Sequence, residues 1–357
     1  MIYKNNKKAI NVYNINYFIK KIYKDNDLKF ERTYIINPSD IALYDYQTKK
    51  ELIISFLSYN TINYPITRFR PIGIVVIPAN VSKELYPDGH QCKGKPVIMS
   101  LNYMRFDTPD VGGNIQKMLW NNNNTNGVLK KFPSCAQITN TSVDENVTEY
   151  QIKPLTSGTH LPSSKILSKQ ECIVAPKLYY VSTTLMHCSP VIFNYKNGKV
   201  DLNPQYKNAP TTCSCTDVDG ISNTNNIIKN IDDENWKTSN EILCDKYNEI
   251  NSYPAASCCW RYHIDGIDNQ GDWYLPALGE LCFIMPFYKE HNESLEKIIN
   301  IYKNNISVLL EDMINHWSST EVSNSGAWAV HTQYGLVNGN IAKTNEFGVR
   351  AFRPLKV

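Results

Sequence analysis

Residues 268–281 read DNQGDWYLPALGEL, and the fold turns on them. Gly271 and Asp272 belong to a cluster of turn formers, which predicts a tight turn. Trp273 behind them is bulky enough to plug a core between a helix and a sheet. Leu275-Pro276 then opens a helix, because proline pre-sets the backbone angle of a first turn. Along that helix Leu278, Leu281, Cys282 and Met285 recur at the i, i+3, i+4, i+7 spacing of a single apolar stripe, which is laid over the sheet.

On the amino side, NSYPAASCCWRYHIDG (251–266) reads as another helix, with Pro254 near its start. On the carboxyl side, Ser294 is placed to cap a further short helix carrying Lys297 to Tyr302. The tail HWSSTEVSNSGAWAVHTQYGLVNGNIAKTNEFGVRAFRPL (316–355) alternates and is broken at Asn324–Gly326, Gly335 and Asn338-Gly339. That is the pattern of a three-stranded antiparallel meander. Far upstream, PIGIVVIPAN (71–80) and GKPVIMSLNYM (94–104) read as buried strands, and the Pro87–Gly89 turn between them predicts a hairpin.

Residues 105–215 read as an insertion. It holds a short helix around Gln116 to Trp120, an exposed NNNNTNG run, a strand in KLYYVSTTLMHC (177–188), and strands in PVIFNYKNGKVDLN (190–203) turning at Asn197-Gly198. Residues 1–67 read as a leading region. Ile15, Phe18, Ile19 and Ile22 recur there at helical spacing, and six lysines without an acid fall in the first 24 residues. Short strands follow in FERTYIIN (30–37) and KELIISFLSYNTINY (50–64). Hairpin, insertion, two helices and meander, in that order, predict an α+β fold with helices segregated from small antiparallel sheets.

Composition narrows the function. The 37 basic and 34 acidic residues leave a net charge of +3, which provides no concentrated basic surface for nucleic acid. No run of about 18 apolar residues is present to insert in a membrane. The N-terminus lacks the apolar stretch and cleavage site of a secretory signal, so synthesis and folding in a cytoplasm are expected. Ten cysteines in a reducing compartment are then read as small buried thiols. Cys213 and Cys215 would hold zinc with His187-Cys188 only if the fold brought them together. The 23 tyrosines are compatible with protein interfaces.

GDWYLPALGEL, HWSSTE, AWAVHTQYG and the closing GVRAFRPL resemble the C-type-lectin-like domains of the DUF1566 family, built on G-x-W-x-L-P-x-x-x-E-L and W-S-S-T-E motifs. PIGIVVIPAN, VIMSL and DGISNTNNI are similar to versions found in virion proteins of crAss-like phages of gut Bacteroidales. The motifs span about residues 70–102 and 217–357, and residues 1–67 and 105–215 match nothing recognised. The resemblance implies a C-type-lectin-like domain over 68–357, interrupted by the 105–215 insertion. It also implies Trp273, Leu275, Pro276, Glu280, Trp317, Glu321, Trp328 and Arg350 as structural motif residues.

In function, the resemblance implies a non-enzymatic head or tail fibre or decoration protein, made in the host cytoplasm and carried on the virion. Region 1–67 would attach to other virion proteins and support a dimer or trimer, and the lectin-like domain would meet a host-surface glycan or protein. A bacterial cell-surface adhesin of the same fold is the alternative. The fold is shared with formylglycine-generating enzymes, but no activated cysteine and no other catalytic motif can be read in the chain. No cofactor and no metal are expected.

Three groups of residues are candidates for particular roles. Glu280 and Glu321, with Arg350 and Arg353, are read as a partly buried charge pair fixing the meander, structural rather than catalytic. If Trp328, Val330 and Thr332 face inward, the two-residue period turns Ala329, His331 and Gln333 outward. With Tyr334, Asn338, Asn340 and Asn345 on turns, these would form a ligand surface for either the host or a neighbouring subunit. Asp265, Asp268, Asn269 and Asp272 offer oxygens to calcium, but are equally the residues of tight turns, the reading favoured here. The Glu-Pro-Asn, Gln-Pro-Asp and Trp-Asn-Asp triplets of calcium-dependent lectins are missing, which puts sugar chemistry in doubt.

Overall fold

A computed structural model describes residues 36–104, 117–122, 127–131, 214–231, 253–302, 309–310, 315–332 and 336–356, with short strands between 2 and 31 and between 187 and 202. The first strands are self-paired ribbons, β1 (Ile2–Lys4) with β2 (Lys7–Ala9) and β3 (Lys21–Lys24) with β4 (Asp27–Glu31). Ile22 therefore lies on a strand rather than the expected helix, and Ile15, Phe18 and Ile19 fall outside the described residues. Next come β5 (Ile41–Asp45), β6 (Lys50–Ile54), β7 (Phe69–Ile77), α1 (Ala79–Leu85) and β8 (Val97–Met99). β9 (Met118–Leu119), β10 (His187–Cys188), β11 (Phe193–Lys196) and β12 (Lys199–Leu202) follow.

The helices are α2 (Gly220–Ile228), α3 (Pro254–Arg261), α4 (Leu278–Leu281) and α5 (Tyr288–Tyr302). The chain closes through β13 (Asn315–Glu321), β14 (Gly326–His331), β15 (Leu336–Ala342), β16 (Glu346–Phe347) and β17 (Phe352–Pro354). The result is a mixed α+β architecture of small antiparallel sheets and short helices, as the pattern predicts.

One sheet has the order β17-β8-β7-β5-β6 and the other β10-β15-β14-β13. The first corrects the boundary placed at residue 67: β5 pairs with β7 from Ile41↔Ile74 to Asp45↔Phe69, so both sides of that boundary share a sheet. The loop from 55 to 68 interrupts the chain without interrupting the sheet. β7 and β8 are antiparallel neighbours, but α1 lies between them, so they are not a simple hairpin. Gly89, at φ +83°, supplies the turn after that helix.

The three-stranded meander forms as expected, and β10, from the region read as an insertion, adds a fourth strand. Asn338-Gly339 is not a turn but part of β15, where Gly339 lies under the Trp328 ring. Of the helix expected around Gln116 to Trp120, Gln116 lies outside the described residues and 117–120 are not helical: Met118 and Leu119 pair with Phe347 and Glu346. Ser294 does not start a helix either. It is buried within α5, and its hydroxyl donates to Ser39 O at 2.7 Å. β11 and β12 pair from Phe193↔Leu202 to Lys196↔Lys199, and Asn197-Gly198 between them lies outside the described residues.

Both faces of the five-stranded sheet are buried. Ile41, Leu43, Ile74, Val76 and Met99 join Leu278, Leu281, Cys282, Leu295 and Ile298 of the helical layer in one core. Ala42, Ile72, Val75 and Ile98 join Trp273, Trp317 and the Ala255–Cys259 face of α3 in a second. Trp273 and Trp317 thus fill the same core, whereas Trp328 fills the other.

Candidate functional site

α4 is a single turn that could not hold itself in isolation, since one turn fixes several residues for little hydrogen bonding. Polar side chains secure it from outside. Glu280, three residues into it, folds back to accept Ala277 N–H at 2.8 Å, and the same oxygen takes Gly220 N–H at 3.1 Å. Its other oxygen accepts the hydroxyls of Tyr86 at 2.7 Å and Tyr274 at 2.8 Å. Asp217 accepts from Thr320 Oγ1 at 2.8 Å and Asn223 at 2.9 Å, and Thr320 Oγ1 in turn accepts Leu278 N–H at 2.8 Å. The start of α2, all of α4 and β13 are stitched together at this point.

Burial dominates the electrostatics here. It pushes Glu280 up to about 8 against the pull of its four donors, with the nearby Asp217 also raising it. Asp217 itself is raised by burial. Cys92 Sγ lies 3.5 Å from Tyr274 Oη, and burial pushes its thiol well above the ordinary range, so it is held protonated and unreactive. His90 stacks on Tyr86 at 4.5 Å between centroids. Its Nδ1 accepts Cys92 N–H at 3.1 Å, which places the proton on Nε2, facing Asp219 Oδ1 at 3.1 Å. Neither ring nitrogen is aimed at the thiol.

The expected pairing of Glu280 and Glu321 with Arg350 and Arg353 is corrected. Glu280 meets hydroxyls and backbone amides instead. Glu321, fully buried, pairs with the buried Lys343 ammonium and accepts Val128 N–H at 3.0 Å and Leu129 N–H at 2.6 Å. Arg353 forks onto Glu51 at 2.7 and 3.2 Å and faces Asp268 at 3.3 Å, with Trp273 stacked 5.0 Å below. Arg350 donates to Ser100 O at 3.0 Å and Leu101 O and lies 3.9 Å over the Tyr103 ring.

The proposed ligand surface is only partly assembled. Ala329 is fully buried, as are Trp328 and Val330, because the second core packs on the side that alternation had left to solvent. His331 and Asn338 are half-buried, Asn340 lies on β15, and Asn345 is exposed in the turn after it. Gln333 and Tyr334 lie outside the described residues.

The carboxylates of 265–272 diverge. Asp268 accepts Trp273 Nε1 at 2.8 Å and Ile264 N–H at 2.5 Å, Asp272 meets Lys356 at 2.5 Å, and Asp265 meets His263 at 3.0 Å. Among the described residues no group of three or more His, Cys, Asp or Glu side chains is arranged to hold a metal. The side chains of His187, Cys188, Cys213 and Cys215 lie outside them.

Sequence reasoning missed Tyr86, Asp217, Thr320, Lys343 and Glu51. One signal was available: SSTE is too polar for a buried strand unless each side chain has a buried partner. No known family pattern and no curated protein matches the chain. Among solved structures, the chain is similar to a fimbrial protein from Bacteroides ovatus at 14% identity and a TM-score of 0.38. The match takes in 88% of this chain and 48% of that protein, so this chain spans about half the neighbour's length. At that score the likeness carries no argument.

Proposed function

We propose that this chain is a non-enzymatic display scaffold with a C-type-lectin-like domain, carried on the surface of a phage particle as a fibre or decoration protein. The observation that carries the reading is how the motif residues use their polar groups. Glu280, Asp217, Glu321 and Asp268 are each bonded internally by two or more donors, and the buried Cys92 is held protonated. Such groups pin short elements together and leave exposed turns, such as that of Asn345, to vary. The motif resemblance supports the C-type-lectin-like assignment and the virion setting.

Tryptic mass spectrometry of gradient-purified particles, with peptide intensities compared to the major capsid protein, tests the reading. Stoichiometric peptides are expected, and their ratio separates a decoration protein from a few fibres. Recovery only from the surface of uninfected cells would overturn the virion setting in favour of an adhesin.

A further inference from the structure

Lys131 and Asn324 are 193 residues apart, and their side chains meet: the Lys131 amine donates to the Asn324 amide oxygen. Each is held from behind. Asn324 sits at the tip of the β13–β14 turn, where Val322 and Ser323 N–H donate to Gly326 O at 2.9 and 3.2 Å and Gly326 N–H donates to Ser323 Oγ at 3.0 Å. The Lys343 ammonium takes the Asn324 backbone carbonyl at 2.7 Å. On the opposite side, buried Glu321 grips the backbone of Val128 and Leu129, and Lys131 forms a parallel bridge with Glu321. Gly127 closes over the contact, since a Cβ there would lie 2.6 Å from both Asn324 Oδ1 and Lys131 Nζ. An amine and an amide carbonyl held together by two independently fixed segments have the arrangement in which intramolecular acyl transfer outruns its bimolecular counterpart.

We propose that Lys131 and Asn324 form an intramolecular isopeptide bond, tying the 127–131 segment to the meander. In the step, Lys131 Nζ gives up a proton to water and adds to Asn324 Cγ, and the bond from Cγ to the amide nitrogen breaks. A proton from the attacking amine passes to the departing nitrogen, and ammonia is released. Both side chains are exposed, so water takes up the initial ammonium proton and carries the ammonia away. No oxidant, metal or partner is required.

Intact-mass spectrometry of the purified full chain is expected to show a species about 17 Da below the sequence mass, the loss of one ammonia. Tryptic mapping is expected to find no cleavage after Lys131 and one branched peptide containing both residues. Succinimide formation at Asn126-Gly127, Asn197-Gly198 or Asn338-Gly339 would give the same loss of mass, but with linear peptides and normal cleavage after Lys131. That result, or the full sequence mass, overturns the proposal. Lys131→Arg keeps the charge and the donor but removes the nucleophile, so it is expected to restore the full mass; a loss that persists in it also counts against the bond. The mapping of the unsubstituted chain decides the matter even if that variant folds poorly.

Discussion

At Glu280 two forces act against each other on one carboxylate: burial favours the neutral form, and four donors favour the ion. Glu280→Gln matches the neutral form in charge but turns an NH2 group toward one pair of those donors. It is expected to cost about 2–4 kcal/mol in urea unfolding, the range for a buried polar network left unsatisfied. pH supplies a separate test. Glu280 is raised to about 8 in the folded chain, so its contribution is full below its ordinary 4.5 and is lost as pH rises toward 8. His291 is lowered to about 3 by burial, so its contribution is full above its ordinary 6.5 and is lost as pH falls toward 3. Between about 4.5 and 6.5 the two offset each other, while Asp217 and Asp268, both raised by burial, tilt the curve gently downward with pH. Below 3.8 the loss of Asp45, held at about 2 by Arg68, steepens the acid limb. Melting temperature against pH is expected to show this shelf with two flanks, and a monotonic rise to pH 8 would contradict it. None of these residues' partners was legible from sequence, because Glu280 and Tyr86 are brought together by the fold across 194 residues.

Local preference and tertiary packing disagree at Gly220, the first residue of α2. By helix propensity alone, Gly220→Ala should stabilise by up to about 1 kcal/mol. A Cβ there would lie 2.5 Å from Glu280 Oε2 and 2.7 Å from Ala277 N, so the α2–α4 junction would have to open. The expected outcome in chemical denaturation is a loss of about 1–3 kcal/mol, and any gain would refute this account of the junction. The elements best read in advance were those whose signal is local. Pro254 sits at the start of α3, Ile74 to Ile77 of β7 form an unbroken apolar run, and the break at Asn324–Gly326 marks where β14 begins. Contacts set by distant chain were hidden. Ala327 and Ala329 look like the wet side of a strand, yet Trp317 and its core neighbours cover them, and the small side chains permit that close layer. Met118-Leu119 is too short to announce a strand, and only β16 makes it one.

The five-stranded sheet ties the last strand to elements some 250 to 300 residues earlier in the chain. Phe352 pairs with Met99, and Arg353 reaches back to Glu51 and across to Asp268. Removal of residues 350–357 takes away β17, Arg350 and Arg353 at once and exposes the edge of β8. The truncated chain is expected to lose its near-ultraviolet circular dichroism and its cooperative thermal transition; a sharp melt within a few degrees of the intact protein would show that closure is dispensable. The predicted α+β class survives this arrangement, but the division into a leading region and a separate domain does not, because β5 and β6 need the last strand's arginine as much as β7 needs them. At roughly 5–20 residues per second, translation takes on the order of tens of seconds to get from β8 to β17. Throughout that interval the nascent sheet hangs from the ribosome with one flank open and Glu51 without its arginine. Maturation of this sheet therefore has to wait until β17 has been made, and a chaperone that shields β8 until then would have its longest engagement at that edge.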